Sequence, residues 1–98
     1  MEKLLQGLRA AAEPTRLRII ALCGHAELSV NELVTILGQT QPRVSRHLKL
    51  LVEGGLLQRN KEGSRAYYRL SNEAEGLSLG QMLNDLIPDN DELHSLDL

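Results

Sequence analysis

The residues best suited to chemistry in this 98-residue sequence are basic and hydrogen-bonding side chains between positions 39 and 49. They are Gln39, Thr40, Gln41, Arg43, Ser45, Arg46, His47 and Lys49. Arginine can donate two hydrogen bonds to guanine, glutamine can pair with adenine, and serine can bond to a base or a phosphate. We therefore interpret the segment as a candidate reader of double-stranded DNA.

The charge distribution favours the same interpretation. The net charge is only −2, but residues 40–70 carry seven Arg or Lys against two Glu. Residues 71–98 carry seven Asp or Glu and no Lys or Arg. A basic centre beside an acidic end lets a protein bind a polyanion without a high overall pI. The alternative is a cluster of charges on a solvated face, and the placement of these residues on helices and strands decides between the two.

Composition excludes several other classes of protein. No run of about 18 apolar residues is present, so no membrane span is expected. The single cysteine cannot form an internal disulfide, and the N-terminus lacks the features of a secretory signal, which favours a cytoplasmic protein. Two tyrosines are the only aromatic residues, too few for the stacking platforms that bind single strands. No catalytic constellation is visible, so we expect no enzyme activity.

Four helices are predicted before residue 54. In the first, Leu4, Leu8, Ala11 and Ala12 share one face, and a proline at position 14 limits it and opens the second. A capping box at residues 29–32 starts the third. A glycine at position 38 ends that helix, and after a very short connection, with Thr40 or Gln41 as the cap, the fourth runs to about residue 53.

After two glycines the apolar period changes from that of a helix to that of a strand. Leu56–Asn60 and Arg65–Leu70 are predicted to be strands around a four-residue turn containing glycine. Side chains near this turn are suited to contact with the DNA backbone or minor groove. They are Arg59, Lys61, Ser64 and Arg65.

A last amphipathic helix is predicted after residue 72. Ser71 or Asn72 can cap it, with Glu75 in the capping-box position relative to Asn72, and Pro88 ends it. We expect one domain over residues 1–88 and an acidic, flexible tail over residues 89–98.

The third and fourth helices together form a predicted helix-turn-helix, and the hairpin makes it winged. Val44, Leu48 and Leu51 repeat at helical spacing and predict the buried face of the fourth helix. Its basic residues then project outward, as a major-groove reader requires. The fold class is therefore mainly α with a β-hairpin. A helix-turn-helix used only for contact with another protein is the alternative, and it predicts that Arg43 and Arg46 can be lost harmlessly.

Several motifs of the chain resemble the ArsR/SmtB family of winged-helix repressors. These are Gln41-Pro42-Arg43-Val44-Ser45-Arg46-His47-Leu48-Lys49-Leu50-Leu51, Gly54-Gly55-Leu56-Leu57, the segment from Gly63 to Tyr68-Arg69-Leu70, and the stretch from Leu8 through Glu13-Pro14-Thr15-Arg16-Leu17-Arg18-Ile19. The resemblance covers residues 4–87. It implies a homodimer built from the first and last helices, which binds an inverted-repeat operator and represses transcription until an effector releases it.

The residues also favour a homodimer independently of that resemblance. The first and last helices carry apolar stripes that a compact motif of this size is too small to cover. We predict that the interface contains Leu4, Leu8, Leu79, Met82, Leu83 and Leu86. A two-fold dimer would place its recognition helices about one turn of DNA apart and would select a palindromic site. The alternative is that both stripes complete a monomer core.

Known effector sites of the family are missing from the sequence. The metal-sensing members carry Cys-x-Cys on the third helix, where this chain has Ser29 and Asn31. The family's Asp-x-His pair on the last helix is also absent, because Asp85 is followed at the second position by Ile87. We therefore predict no metal and no cofactor, and leave the effector unassigned. The alternative is a metal site in the tail, formed by Asp91, His94 and Asp97.

Two further alternatives concern the cysteine and the chain's context. Cys23 is expected to be a buried apolar residue, and only a disulfide between subunits would make it a redox sensor. Residues 86–93 resemble the linker that joins such domains to a methyltransferase-like domain in some relatives. The chain could therefore be the N-terminal regulatory module of a larger protein.

Overall fold

The computed structural model describes residues 1–72 and 74–86, and for residues 74–78 it describes the backbone alone. Five helices and three strands follow one another along the chain. They are α1 (Glu2–Ala11), α2 (Pro14–Cys23), β1 (Leu28–Ser29), α3 (Val30–Leu37), α4 (Gln41–Glu53), β2 (Leu57–Glu62), β3 (Arg65–Leu70) and α5 (Ala74–Leu86). The predicted fold class, a winged helix-turn-helix, is confirmed.

The core lies where α2, α3 and α4 meet the base of the hairpin. Its largest fully buried side chains are Ile19, Ile20, Leu33, Val44, Leu48, Leu51 and Leu56. Burying one Val or Leu side chain is worth about 1.5–3 kcal/mol, so three such residues on α4 hold that helix firmly. The predicted inner face of α4, formed by Val44, Leu48 and Leu51, is confirmed.

Local hydrogen bonds fix where the helices of the motif begin and end. The Ser29 hydroxyl accepts from the Glu32 amide, and the Glu32 carboxylate accepts from the Ser29 amide, so the predicted capping box is present. Gly38 ends α3 with a φ of +66°, a conformation that glycine adopts without steric cost. Thr40 is the N-cap residue of α4, but its side chain makes no capping hydrogen bond.

The sheet differs from the prediction in two respects. It contains a third strand, β1, which pairs with β3 on the side away from β2. The sequence did not predict β1, because a strand of two residues is too short to show an alternation of apolar and polar residues. The hairpin turn is also shorter than predicted. Lys61 and Glu62 belong to β2, because Gly63 at a φ of +61° allows the chain to reverse over two residues, 63 and 64.

Helix α1 presents small residues, not leucines, to the rest of the domain. Gly7, Ala10 and Ala11 are buried, whereas Leu4, Leu8 and Ala12, which the prediction placed on the same face as Ala11, are exposed. A Cβ atom on Gly7 would lie 2.8 Å from a methyl group of Leu79. The absence of a side chain at Gly7 therefore lets Leu79 of α5 pack directly on the α1 backbone, and the leucines of α1 remain outside.

Some predictions about the C-terminal part fall on undescribed residues. The capping partner Glu75, the helix-ending Pro88, and the acidic tail with its possible metal ligands Asp91, His94 and Asp97 lie outside the described side chains. In the described part of the chain, no helix is long and apolar enough to cross a membrane.

Candidate nucleic-acid interface

Helix α4 has two chemically distinct faces. Its inner face is apolar and buried, so the orientation of the helix is set by the core. The side chains of Arg43, Arg46 and Lys49 are exposed, on the side that the core does not cover. The buried side chains thus fix α4 so that three cations and the N-terminal end of the helix face outward, where DNA phosphates and base edges could be reached.

The residues at the N-terminal end of α4 have different surroundings. Gln41 is exposed, and its Nε2 donates to Ser45 Oγ at 3.0 Å, which orients its amide along the helix. Gln39 instead donates from Nε2 to Thr15 Oγ1 at 3.1 Å, while its Oε1 is buried and has no hydrogen-bond partner. Of these predicted contacts, Gln41 and Thr40 face solvent, whereas Gln39 is held against α2.

His47 is also turned toward α2. Its side chain is only 14% exposed, and Nδ1 lies 3.2 Å from Arg16 Nη1 and 3.7 Å from Glu13 Oε2. Burial lowers the pKa of His47 below 6.5, and the charges of Arg16, Arg43 and Arg46 lower it further against the opposing effect of Glu13. The imidazole is therefore neutral at pH 7.

The four side chains predicted near the tip of the hairpin are all exposed. Lys61 pairs with Ala66 and Arg59 with Tyr68, so these two cations share the face of the hairpin that carries the core residues. Arg65 pairs with Glu62 and lies on the other face. Successive side chains alternate in a strand, and so the hairpin presents cations on both of its faces.

A polar network that the sequence analysis missed supports the base of the hairpin. Gln58 Nε2 donates to Asn60 Oδ1 at 2.9 Å, and Asn60 Nδ2 donates to Glu27 Oε1 at 3.3 Å. Arg69 Nε lies 3.6 Å from the same Glu27 oxygen. These contacts fix the hairpin to the segment before β1. Glu27 and Asn60 are 33 residues apart, and no local pattern in the sequence indicates their pairing.

The six residues predicted at the dimer interface differ in how exposed they are in the single chain. Leu4, Leu8, Met82 and Leu86 have exposed fractions of 45%, 39%, 50% and 74%, and Leu83 is half-buried. Leu79 is buried in the core of its own chain, where it contacts α1. The outer sides of α1 and α5 therefore leave large apolar side chains in water.

Neither metal binding nor thiol oxidation is favoured by the residues that the structure describes. Among them, no group of three or more His, Cys, Asp or Glu side chains could hold a metal ion. Cys23 is buried, and burial raises its pKa to about 12. Since the thiolate is the reactive form, Cys23 is a thiol of low reactivity at neutral pH.

The chain is similar to known regulators in sequence. The family model described as bacterial regulatory protein, arsR family, matches residues 13–59. The arsenical resistance operon repressor of Escherichia coli is 47% identical over 68 residues, which are 68% of this chain and 58% of that protein. An arsenic resistance transcriptional regulator of Pseudomonas putida is 37% identical over 90 residues, 91% of this chain and 70% of that protein. The chain spans about half the length of several curated relatives, including the Escherichia coli repressor.

Solved structures give the same result. HlyU from Vibrio cholerae in its reduced form superposes with a TM-score of 0.74 at 34% identity, covering 87% of this chain and 88% of that one. The homodimeric winged helix-turn-helix DNA-binding domain of Mb0332 from Mycobacterium bovis, a possible ArsR-family regulator, superposes with a TM-score of 0.72 at 31% identity, covering 86% and 80%.

Proposed function

The chain belongs to the ArsR family of bacterial regulatory proteins, and we propose that it is a repressor that binds an inverted-repeat operator in double-stranded DNA as a homodimer. The observation that carries the proposal is α4, which is anchored by three fully buried side chains and exposes Arg43, Arg46 and Lys49 on its other side. An arrangement of this kind is suited to the major groove.

The exposed residues divide into two roles in this proposal. Arg46 and Gln41 read base edges, because arginine and glutamine make the two-bond contacts that discriminate between bases. The cations of the hairpin, with Lys49, bind phosphates and supply affinity that does not depend on sequence. The hydrogen bond from Gln41 to Ser45 supports the first role, since an amide already held in one orientation loses less freedom on binding.

The outer apolar faces of α1 and α5 support the homodimer. A second copy of this chain would cover Leu4, Leu8, Met82 and Leu86, which are otherwise exposed to water. The relative Mb0332 is homodimeric. A two-fold arrangement would place two recognition helices about 34–36 Å apart, the length of one turn of DNA.

The effector proposed to release the DNA is not a soft metal held at the third helix. Soft metals select thiolate ligands, and Ser29 and Asn31 provide none. The Ser29 hydroxyl is moreover occupied by the capping box. The names of two relatives refer to arsenic, but Cys23, the single cysteine, lies in the core. The comparisons give no support to a fusion with a methyltransferase-like domain.

Selection of binding sites from a random duplex library at physiological salt tests this proposal. We expect enrichment of one inverted repeat whose half-sites are about a helical turn apart. If no sequence is enriched and binding is only salt-sensitive, the proposal of a sequence-specific repressor is wrong. A control with Arg43 and Arg46 both changed to Ala should enrich nothing. Equal enrichment by this control would mean that residues other than Arg43 and Arg46 read the bases.

A further inference from the structure

Arg16, at the start of α2, touches two other helices at once. Its Nε donates to the carbonyl oxygen of Ala10 in the last turn of α1. Its Nη1 lies 3.2 Å from Nδ1 of His47 in the middle of α4. The guanidinium group thus contacts the end of α1 through Nε and the middle of α4 through Nη1. The Arg16 side chain is half-buried.

The partner of Arg16 on α4 must be an acceptor. Arginine is always protonated and only donates, so His47 Nδ1 carries no proton in this contact and the ring proton lies on Nε2. The charged groups that act on the ring are Glu13, the N-cap residue of α2, Arg16 in the first turn of α2, and Arg43 and Arg46 on α4. Burial and the three cations favour the neutral form that accepts from Arg16, against the opposing effect of Glu13.

Glu13 holds Arg16 in place from the other side. Its Oε2 accepts from the Arg16 amide at 3.0 Å and so caps α2. The same oxygen lies 3.7 Å from His47 Nδ1. Burial raises the pKa of Glu13, but hydrogen bonds from the amides of Thr15 and Arg16 outweigh burial and lower it, together with the charge of Arg16 and, at acid pH where its ring is protonated, that of His47. Glu13 is therefore ionised at neutral pH.

A second contact brings α1 against α4. A Cβ atom on Gly54, the residue that caps the C-terminal end of α4, would lie 2.7 Å from the Cβ atom of Ala10. The same residue, Ala10, therefore accepts the bond from Arg16 through its carbonyl and packs against the end of α4 through its methyl group. The last turn of α1 holds α4 at its middle and at its C-terminal end.

We propose that Arg16 is a positioning residue, which fixes the orientation of α4 relative to the end of α1 by joining the Ala10 carbonyl to His47. The proposal rests on the proposed function, in which α1 carries part of the dimer contact and α4 reads the operator. Arg16 then links the geometry of the dimer to the placement of Gln41 and Arg46. His47, counted in the sequence analysis among residues that contact DNA, acts in this proposal through Arg16 and not on a phosphate.

The first test needs no DNA. In the full chain labelled with ¹⁵N, NMR of the imidazole should show the Nε2–H tautomer at His47 and a pKa below 6.5. Arg16→Lys keeps the charge but cannot bond to both partners. We therefore expect it to shift the His47 ring signals, whereas Arg18→Lys, the same change two residues further along α2, should not. An Nδ1–H tautomer in the parent, or ring signals unaffected by Arg16→Lys, would overturn the proposal.

The second test compares the selected operator with random duplex DNA. Arg16→Lys should weaken operator binding about tenfold while leaving binding to random DNA and the salt dependence unchanged. A direct phosphate contact predicts instead that both affinities fall together. His47→Asn, which keeps an acceptor near the position of Nδ1, should retain more operator affinity than His47→Leu. Thermal unfolding of each variant verifies that the domain is folded.

Different results would refute the positioning role of Arg16 and the proposed repressor function. If the parent enriches no operator, the proposed function fails, and the NMR test still decides whether Arg16 positions His47. If the parent enriches an operator and Arg16→Lys binds it with unchanged selectivity, the positioning role is wrong and the repressor proposal stands.

Discussion

Helices α4 and α1 bury one face each in the same core, and they differ in what they leave outside. Helix α4 buries branched apolar side chains and exposes Arg43, Arg46 and Lys49. Helix α1 does the reverse, because its buried residues are small and Leu4 and Leu8 are exposed. A cationic outer face suits a polyanion, whereas an apolar outer face suits another apolar surface. The two helices thus indicate two different partners.

The comparison also shows why an amphipathic pattern alone does not identify a buried face. In α4 the apolar stripe is the buried one, as the periodicity predicts. In α1 the leucine stripe is exposed, and Gly7, Ala10 and Ala11 allow a close approach that larger side chains would prevent. The position of small residues, as well as of leucines, decides how a helix packs.

The largest effect is expected from disrupting the apolar face of α1. Changing both Leu4 and Leu8 to Glu should give a folded monomer, because both side chains are exposed in the single chain and two buried like charges would oppose association. Operator affinity should fall by about 10²–10⁴, the gain that linking two half-site contacts provides. Light scattering and anisotropy titration measure the two effects.

A matched control for that variant lies on the same helix. Gln6→Glu adds negative charge to α1 at an exposed residue outside the leucine face. It should leave the mass at twice 10.9 kDa. If the control dissociates as readily as the double variant, net charge and not the leucine face governs assembly.

A smaller effect is expected from the cationic face of α4. Arg46→Ala should cost about 1–3 kcal/mol of operator binding and relax the base preference at one position of each half-site. Arg9→Ala, which removes an exposed arginine from α1, is the control and should bind like the parent. Equal losses in both variants would mean that Arg46 contributes only charge.

The hairpin should contribute less and without sequence preference. Lys61→Ala removes one phosphate contact, so the slope of log affinity against log salt should decrease in magnitude by about 0.9 for each subunit that makes it. Operator and random DNA should be affected equally. A loss confined to the operator would instead assign Lys61 to base reading.

The smallest effect concerns stability and pH. The pKa of His47 is lowered from 6.5 in the folded chain by burial first and by the neighbouring arginines second. The unfolded chain therefore binds the proton more tightly, and the free energy of unfolding should decrease as the pH falls through 6.5. Glu13, whose pKa is lowered from 4.5, loses its contribution only at more acid pH. Urea titrations of the parent and of His47→Asn, between about pH 7.5 and about pH 5.5, should show a smaller decrease in the variant.

Local patterns in the sequence predicted much of the fold. The capping box at Ser29 and Glu32, the end of α3 at Gly38 and the buried face of α4 each depend on residues within about two helical turns of one another. The contacts that the sequence did not indicate join distant positions. Strand β1 is ordered by pairing with β3, and the bond from Arg16 to His47 spans 31 residues. Such contacts arise only once the core has brought the elements together.

The measurement that tests the account most directly is the dependence of affinity on the spacing between the two half-sites of the selected operator. The central claim is that the apolar faces of α1 and α5 fix two α4 helices on one side of the DNA. Inserting about half a helical turn between the half-sites should then lower the affinity to that of a single half-site. Equal affinity for the original and the altered spacing would contradict the claim, because it would mean that the two recognition helices bind independently.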